Sequence, residues 1–388
     1  MALGRKREVA PVSTSRIETD PIEATVPPSL RIAGAYSWRI LLVAGVVGVV
    51  IFLIAQLKDI VVPLMIAVLV AALLVPLVNF LVRHRWPKAL AVAVAMVGTL
   101  AIVSGLIFVI VQQIRSGYPD LQERSVKAFD DFKAFLAESP LQLDDKEIQG
   151  YIDQAFAAIQ QDSQALVSGA LSVGSTAGHV LAGLLLVIFA TLFILIDGKG
   201  IWAWVVRLFP RRARPALDGS GRAGWVTLTT FVKVQIFVAA VDAIGIGVGA
   251  WILGLVFGGF PLVIPIAIAV FLGSFIPVVG AVLTGTIAVF IALVYLGPFP
   301  ALLMVGIVLL VQQVEGHILQ PLVMGSAVKV HPLAVVFAVA AGSFLAGIPG
   351  ALFAVPVIAV GNVMVKYIAA GQWRTHPSPT AKDVLPDA

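Results

Sequence analysis

The sequence predicts an all-α polytopic membrane protein, with about eight transmembrane segments and a small extracytoplasmic helical segment. Hydrophobic residues fill 60% of its 388 positions and charged residues only 12%, and a soluble domain cannot bury that much apolar surface. Apolar runs close to the 20 or so residues that an α-helix needs to cross the hydrocarbon core recur along the chain. Two late runs contain glycine and proline midway, so we expect the sixth and eighth segments to be interrupted or re-entrant.

The two ends of the chain are polar. Residues 1–38 are rich in Pro, Ser, Thr and Arg, and they predict a disordered cytoplasmic tail. They do not resemble a signal peptide, because no apolar stretch with a small-residue cleavage site follows the basic start. Residues 368–388 predict a second cytoplasmic tail.

Eight apolar runs predict the spans, with spans 1–3 in residues 39–113 and a transmembrane core in residues 169–367. The runs lie near 39–57, 60–82, 88–112, 176–196, 235–257, 261–296, 298–323 and 332–367. Only a short break at Lys58 and Asp59 separates the first two, which predicts a helical hairpin.

Loop charges predict the orientation. The loop after the second span and the linker 197–233 are strongly basic, whereas residues 114–168 contain ten acidic and five basic side chains. Positive loops stay in the cytoplasm, so we expect both termini inside and residues 114–168 outside, as amphipathic helices broken at Ser139-Pro140. Within the linker, residues 214–232 predict an interfacial helix. The net charge of +5 follows from these loops and does not call for nucleic acid.

An internal repeat marks the two longest apolar runs. Residues 271–285 read FLGSFIPVVGAVLTG and residues 341–356 read AGSFLAGIPGALFAVP. Proline and glycine free backbone polar groups, which survive at membrane depth only inside protein or beside a wet cavity. Paired interrupted helices of opposite direction are typical of transporter substrate sites; kinked helices with packing glycines are the alternative. The pathway residues predicted here are Pro277, Gly280, Gly347, Pro349 and Gly350.

Carboxylates inside apolar spans are costly and usually face a bundle interior. Asp242 lies in the fifth span and Glu315 in the seventh, each about 10 Å from the cytoplasmic end at 1.5 Å per residue. Asp197, at the inner end of the fourth span, is expected to be a helix cap. Near Glu315 we add Gln312, which shares its helix face, Gln313, and Pro321, which should interrupt the helix and free a carbonyl. These groups could bind a cation or a hydroxylated solute. Alternatively, Glu315 pairs with Lys233, Lys329 or His317 as a structural contact.

The sequence contains no motif that indicates another class of function. The sequence contains no HExxH, GxSxG, Walker A or CxxC pattern, and no cysteine at all, which excludes disulfides and thiol chemistry. No histidine pair has metal-ligand spacing, and no loop is long enough for a nucleotide-binding domain. We therefore expect no enzyme activity, no cofactor and no metal.

Five segments in order resemble the AI-2E (autoinducer-2 exporter) family of transporters. They are LFILIDGKG (192–200), LFPRR (208–212), FIPVVGAVLTG (275–285), QQVEGHILQPLVMG (312–325) and HPLAVVFAVAAGSFLAGIPGALFAVP (331–356). The resemblance spans residues 60–365 and implies a bacterial inner-membrane protein of about eight spans, with an extracytoplasmic segment after the third. It implies transport, either of the autoinducer-2 signal or of sodium against protons, and favours Glu315, Pro277 and Pro321. The chain departs from the family pattern at Val234, where the family often has glycine, and at Asp242, where many members are apolar.

Together these patterns predict a secondary transporter in the bacterial cytoplasmic membrane that exports a small polar solute, with Glu315 and Asp242 as coupling groups. A monovalent cation (sodium)/proton antiporter is the second hypothesis. A non-transporting scaffold that recruits partners through residues 120–165 is the third. The expected partners are the lipid bilayer, the solute or cation, and further copies of the chain, with no nucleic acid.

Overall fold

The structure, a computed structural model, describes residues 27–138, 173–276, 279–324, 332–380 and Asp383. Every regular element in these ranges is helical. The predicted all-α fold is therefore confirmed.

Nine helices follow one another in the described ranges. The first five are α1 (Pro28–Gln56), α2 (Lys58–Arg83), α3 (Lys88–Glu138), α4 (Val173–Arg207) and α5 (Arg214–Phe257). They are followed by α6 (Val263–Gly273), α7 (Val279–Leu296), α8 (Pro298–Val314), the π-helical stretch Glu315–Met324, α9 (Pro332–Ala369) and the 3₁₀ turn Gln372–Arg374.

Seven stretches of the described helices are long and apolar enough to cross a membrane. They are Ile32–Gln56, Lys58–Arg83, Lys88–Gln113, Val180–Arg207, Arg214–Phe257, Pro298–Leu319 and Leu333–Ala369. Helix α6 has only 11 residues, about 16 Å at 1.5 Å per residue, which is short of a hydrocarbon core of about 30 Å. The protein is an integral membrane protein.

Helix α1 belongs to a unit of its own, residues 1–57, and the rest of the chain forms the second compact unit. Its apolar side chains are exposed along its length, which suits a lipid-facing helix. The helix begins at Pro28, inside the segment predicted as a tail. The predicted hairpin of the first two spans remains a prediction.

Helices α2, α3 and α4 share a core of small and branched side chains. Alanines let helix backbones approach closely in a membrane, and Ala71, Ala91 and Ala95 lie at this contact with Leu74 and Leu195. Residues 114–138 of the predicted extracytoplasmic segment continue α3 without a break. Residues 139–168 lie outside the described ranges.

Helix α5 is the central element of the second unit. The predicted interfacial helix (214–232) and the fifth span (235–257) form one helix of 44 residues, about 66 Å long. Its first half packs against α9, where Gly224 faces Val360. Its second half forms the main core with α6, α7 and α8, and Ile246, Ile266 and Met304 are fully buried there.

The chain reverses between α6 and α7. A Cβ atom added to Gly280 would lie 1.7 Å from the carbonyl oxygen of Gly273. Residues seven apart in a straight helix are separated by about 10 Å, so this contact requires a tight turn. Helices α6 and α7 with that turn are called the first hairpin below.

The second interrupted segment also reverses. Helix α9 has non-helical backbone angles at Ala346 (φ −139°, ψ 18°) and Gly347 (φ 64°, ψ −144°). A Cβ atom added to Gly350 would lie 1.8 Å from the carbonyl oxygen of Gly342, eight residues away and about 12 Å along a straight helix. Residues 332–345 and 348–369 are therefore two arms of a second hairpin. Both predicted interruptions exist; the side of the membrane from which each hairpin enters remains a prediction.

The chain after α9 packs against the start of α5. A Cβ atom added to Gly219 on α5 would lie 3.0 Å from the Tyr367 ring and 3.4 Å from Trp373, and the Tyr367 hydroxyl donates to the carbonyl of His376. Hydrogen bonds from the hydroxyl and the amide of Thr380 hold the pKa of Asp383 below its usual range. At least up to Thr380, the predicted C-terminal tail has a defined conformation.

Candidate functional site

Asp242 is the most deeply buried acidic side chain in the described residues. It lies in the second half of α5 and is 2% exposed. Its Oδ2 atom is 3.1 Å from the hydroxyl oxygen of Ser274, while its Oδ1 atom has no hydrogen-bond partner among the described residues. A buried polar atom without a partner costs free energy, so it indicates a site where something binds or changes.

Ser274 connects Asp242 to the first hairpin. It follows α6 directly, and its amide donates to the carbonyl of Val270 (2.8 Å), which ends the helix. Its hydroxyl oxygen is also 2.8 Å from that carbonyl oxygen. The end of a helix leaves carbonyl groups without intrahelical donors, and the carbonyl of Ser274 accepts from Nε2 of Gln235 at 2.7 Å.

Gln235 and Asp242 lie on the same face of α5. They are seven residues apart, which is about two helical turns, and both are buried. One holds the backbone of Ser274 and the other faces its side chain. The first hairpin therefore meets α5 through the half-buried Ser274 and the buried Gln235 and Asp242, in an otherwise apolar interface.

Glu315 approaches Asp242 from the predicted seventh span, which is the sixth of the seven apolar stretches in the described helices. It starts the π-helical stretch after α8, and its carboxyl interacts electrostatically with that of Asp242. A small apolar cluster aligns the two elements: Leu319 packs on Val234 and Val238, with Val241 and Val314 at its edge. Because Val241 precedes Asp242 and Val314 precedes Glu315, this packing brings together the backbone segments that carry the two carboxyl groups.

The other predicted residues of this span lie before and after Glu315 along the chain. Gln312 is half-buried and Gln313 is exposed, with the carbonyl of Gln313 3.3 Å from Nδ1 of His317. The expected break at Pro321 is replaced by a different feature, since the α-helix already ends at Val314 and continues as a π-helix to Met324. π-Helical turns inside α-helices occur frequently at functional sites.

The glycines and prolines of the repeat separate into two places. Gly280 lies in the first hairpin, near Ser274, and Pro277 lies outside the described residues. Gly347, Pro349 and Gly350 form the turn of the second hairpin, where Gly347 is exposed. The described contacts of that hairpin with α5 include Gly224, Leu228 and Val232, in the first half of the helix. The described contacts thus join Asp242 to the first hairpin and to the seventh span.

Asp197 has the structural role expected from the sequence. Its backbone is non-helical (φ −139°, ψ 40°), and its Oδ1 accepts from the amide of Gly200 at 3.1 Å. Nearby, Nζ of Lys88 donates to the carbonyl of Ile196. Asp197 therefore caps the helical turn that follows the kink.

The sequence did not reveal Gln235 and Ser274. Neither residue is ionisable, and serine and glutamine make ordinary hydrogen bonds between membrane helices, so neither stood out alone. Two signals were present: Gln235 precedes Asp242 by two turns, and Ser274 belongs to the repeated Gly-Ser-Phe motif.

The site contains the groups needed to hold a small cation or a proton. Among the described residues, no group of three or more His, Cys, Asp or Glu side chains is placed to hold a metal ion. Two carboxyl groups, one hydroxyl and one amide can take up a single charge and release it, which is the chemistry of ion coupling in membranes.

Comparison with known proteins identifies the family. A model of AI-2E family transporters matches residues 40–370. The chain belongs to the AI-2E transporter family. A relative in Mycobacterium tuberculosis (strain CDC 1551 / Oshkosh), named "Putative transport protein MT0215", is 37% identical over 94% of this chain and 97% of its own.

Two further AI-2E relatives are more distant. YrrI of Bacillus subtilis (strain 168), with the same descriptive name, is 27% identical over 80% of this chain and 86% of its own. The AI-2 transport protein TqsA of Escherichia coli (strain K12) is 24% identical over 86% of this chain and 93% of its own. The family and these names assign transport to the group, which confirms the predicted resemblance.

Proposed function

We propose that this AI-2E protein is a secondary transporter that exports a small polar solute, with Glu315 and Asp242 as its coupling pair. The observation that carries the proposal is the buried Asp242 carboxyl, held near Glu315 beside the turn of an interrupted helix. Ionisable groups inside a membrane protein usually mark the path of an ion or a substrate. Interrupted helices are where transporters place such groups.

Exchange of one charge between the pair and water explains how transport is driven. Two carboxylates at close range repel each other, so the pair holds a proton or a cation more readily than a single carboxylate does. Binding on one side of the membrane and release on the other then couples the solute to an ion gradient. The autoinducer-2 signal is the first solute to test, because the name of the relative TqsA refers to it.

The orientation that we propose places both termini and the basic loops in the cytoplasm of a bacterial cell. The contact between Lys88 and the carbonyl of Ile196 supports it, because this contact brings the basic loop before α3 next to the basic segment after Asp197. Positive charge gathered at one end of the molecule is the pattern of cytoplasmic loops.

Substitution of Glu315 by glutamine tests the proposal. The purified variant, reconstituted in proteoliposomes, should keep its fold by size-exclusion chromatography and lose solute flux to the background level, because glutamine cannot take up a charge. Replacement of the exposed neighbour His317 by glutamine is the matched control and should retain flux. Normal flux in the Glu315→Gln variant would refute the role of this carboxyl.

A monovalent cation/proton antiporter is the second candidate, and the paired carboxyls favour it. Oxygen ligands suit hard cations, and the hydroxyl of Ser274 adds one. The same proteoliposomes decide between the two: collapse of an imposed pH gradient on addition of sodium or lithium supports antiport. Solute efflux that is independent of both cations argues against it.

A further inference from the structure

The hydrogen atoms around Ser274 can be counted. A serine hydroxyl has one hydrogen to donate, and its oxygen lies 2.8 Å from the carbonyl oxygen of Val270 and 3.1 Å from Oδ2 of Asp242. The carbonyl can only accept, so the shorter contact uses the hydroxyl hydrogen. Both contacts can be full two-centre hydrogen bonds only if the second hydrogen comes from the carboxyl of Asp242.

This count assigns a proton to Asp242 in the described conformation. Its Oδ2–H donates to Ser274, and Oδ1 is then the carbonyl oxygen of a neutral acid, the atom that has no partner. A buried neutral acid with one unused acceptor costs far less free energy than a buried carboxylate with one hydrogen bond, because the carboxylate gives up the hydration of its charge.

We propose that Asp242, Ser274 and Gln235 form a proton-operated latch that holds the first hairpin against α5. With Asp242 protonated, the chain Asp242 to Ser274 to Val270 is satisfied, and Gln235 fixes the carbonyl of Ser274. The biological role of the latch rests on the proposed transport function. The latch adds to that function a link between ion binding at Asp242 and movement of the first hairpin.

The charged surroundings of Asp242 explain which event opens the latch. Helices α6 and α8 contain no titratable side chain, and α7 contains only Tyr295. Titratable side chains on the other elements that pack against α5 are Lys58, Asp59 and Arg83 in α2, His179, Asp197, Lys199 and Arg207 in α4, Glu315 and His317 in the π-helical stretch, Lys366 and Tyr367 in α9, and Arg374 in the 3₁₀ turn. Helix α5 itself contains Arg214, Asp218, Arg222 and Lys233. Of these, Glu315 interacts electrostatically with Asp242, and its negative charge opposes a second one.

Loss of the proton from Oδ2 leaves a carboxylate that the closed site cannot satisfy. Ser274 can turn its hydrogen towards Asp242 only by giving up the carbonyl of Val270. The repulsion from Glu315 remains in either case. The carboxylate is stabilised when the hairpin moves and admits water or a cation, so the latch is closed at low pH and open at high pH.

A spin label on the first hairpin measures the latch directly. The chain has no cysteine, so Leu272→Cys, at an exposed position on the last turn of α6, is the single labelling site. The label is attached at one pH, and the labelled protein is then equilibrated in lipid nanodiscs across a pH series. Titration of the thiol therefore cannot affect the extent of labelling. We expect an immobile spectrum in acid and a mobile one in alkali, with a lengthened distance to a second label at the exposed Val97→Cys on α3.

Two substitutions separate the latch from general loosening. Asp242→Asn keeps a donor for Ser274 and cannot lose it, so the label should stay immobile at every pH. Ser274→Ala removes the connection, so the label should be mobile at every pH. A label at Val97→Cys alone should be insensitive to pH in all three backgrounds.

The outcomes distinguish the latch from the transport proposal. A spectrum at Leu272→Cys that does not change with pH, or a pH transition that persists in the Asp242→Asn protein, overturns the latch. A normal pH transition in a protein that moves neither solute nor cation leaves the latch standing and refutes the transport function instead.

Discussion

At the scale of single residues, Asp218 connects the end of α4 to the start of α5. Its Oδ1 accepts from Nε1 of Trp202 at 3.0 Å, and its Oδ2 accepts from Nε and Nη2 of Arg222, both at 3.0 Å. The two contacts differ in kind: the first joins two helices, and the second is a surface ion pair within one turn of α5.

We expect substitutions of Asp218 to separate these two contacts. Asp218→Asn retains an acceptor for Trp202 and loses the exposed ion pair, so the loss should be at most about 1 kcal/mol. Asp218→Ala also leaves the indole N–H of Trp202 without its acceptor and should cost about 1–3 kcal/mol. Thermal unfolding in detergent micelles ranks the variants, and equal midpoints for the two would contradict this assignment.

The sequence predicted those residues of the candidate site whose type is rare in a membrane span. A carboxyl in an apolar span is conspicuous, so Asp242 and Glu315 could be selected from the sequence. Gln235 and Ser274 could not, because their contact spans 39 positions and depends on where the first hairpin meets α5. The deciding feature is the position of the hairpin turn against α5, which no local pattern encodes.

At the scale of elements, the turn of the first hairpin depends on glycine because two backbone segments touch. A Cβ atom at Gly280 would meet the carbonyl oxygen of Gly273 at 1.7 Å. Backbone cannot move aside as the end of a flexible side chain can. The same argument applies to Gly350 against Gly342 in the second hairpin.

Gly280→Ala should therefore destabilise the protein by roughly 1–3 kcal/mol, the usual cost of overpacking. Gly306→Ala is the matched control, since a Cβ atom there meets nothing within 4 Å and alanine favours the helix. In the second hairpin, Gly350→Ala and Gly361→Ala form an equivalent pair. Thermal midpoints in detergent give the ranking, and an unchanged midpoint for Gly280→Ala would argue against the tight turn.

The helices differed in how well the sequence predicted them. Apolar length and Gly/Pro interruptions located the spans and both hairpins, because these signals are local. The continuous α5 and the π-helical stretch from Glu315 were not foreseen. Both depend on packing: α5 has partners along its whole length, and the wider helix presents Leu319 to Val234 and Val238.

At the scale of the whole molecule, no described residue covers the turn of the second hairpin. Phe344 is 93% and Ile348 71% exposed, on either side of the non-helical Ala346 and Gly347. Irregular backbone at membrane depth must be buried in protein or face a wet cavity. We propose that a second copy of the chain covers this turn in a homo-oligomer.

A photo-crosslinking amino acid at Phe344 tests the homo-oligomer. Irradiation in liposomes should give a product of twice the mass of one chain, and its yield should persist as the lipid-to-protein ratio is raised. A yield that falls to zero on dilution with lipid would mean that the turn faces lipid.

The composition sufficed for the class of the molecule, because 60% hydrophobic residues leave lipid as the only solvent. The arrangement of α2–α9 did not follow from it. Apolar side chains in lipid are already out of water, so the hydrophobic effect contributes little to helix association there. Small residues and a few polar contacts therefore decide which helices pack together.

Helix α5 also links two distant contacts within the second unit. Gly219 contacts the C-terminal segment and Asp242 contacts the first hairpin, 23 residues or about 35 Å along the same unbroken helix. If α5 turns about its axis as a rigid helix, both contacts turn with it. A proton arriving at Asp242 would therefore also act on the contact that α5 makes with the C-terminal segment at Gly219.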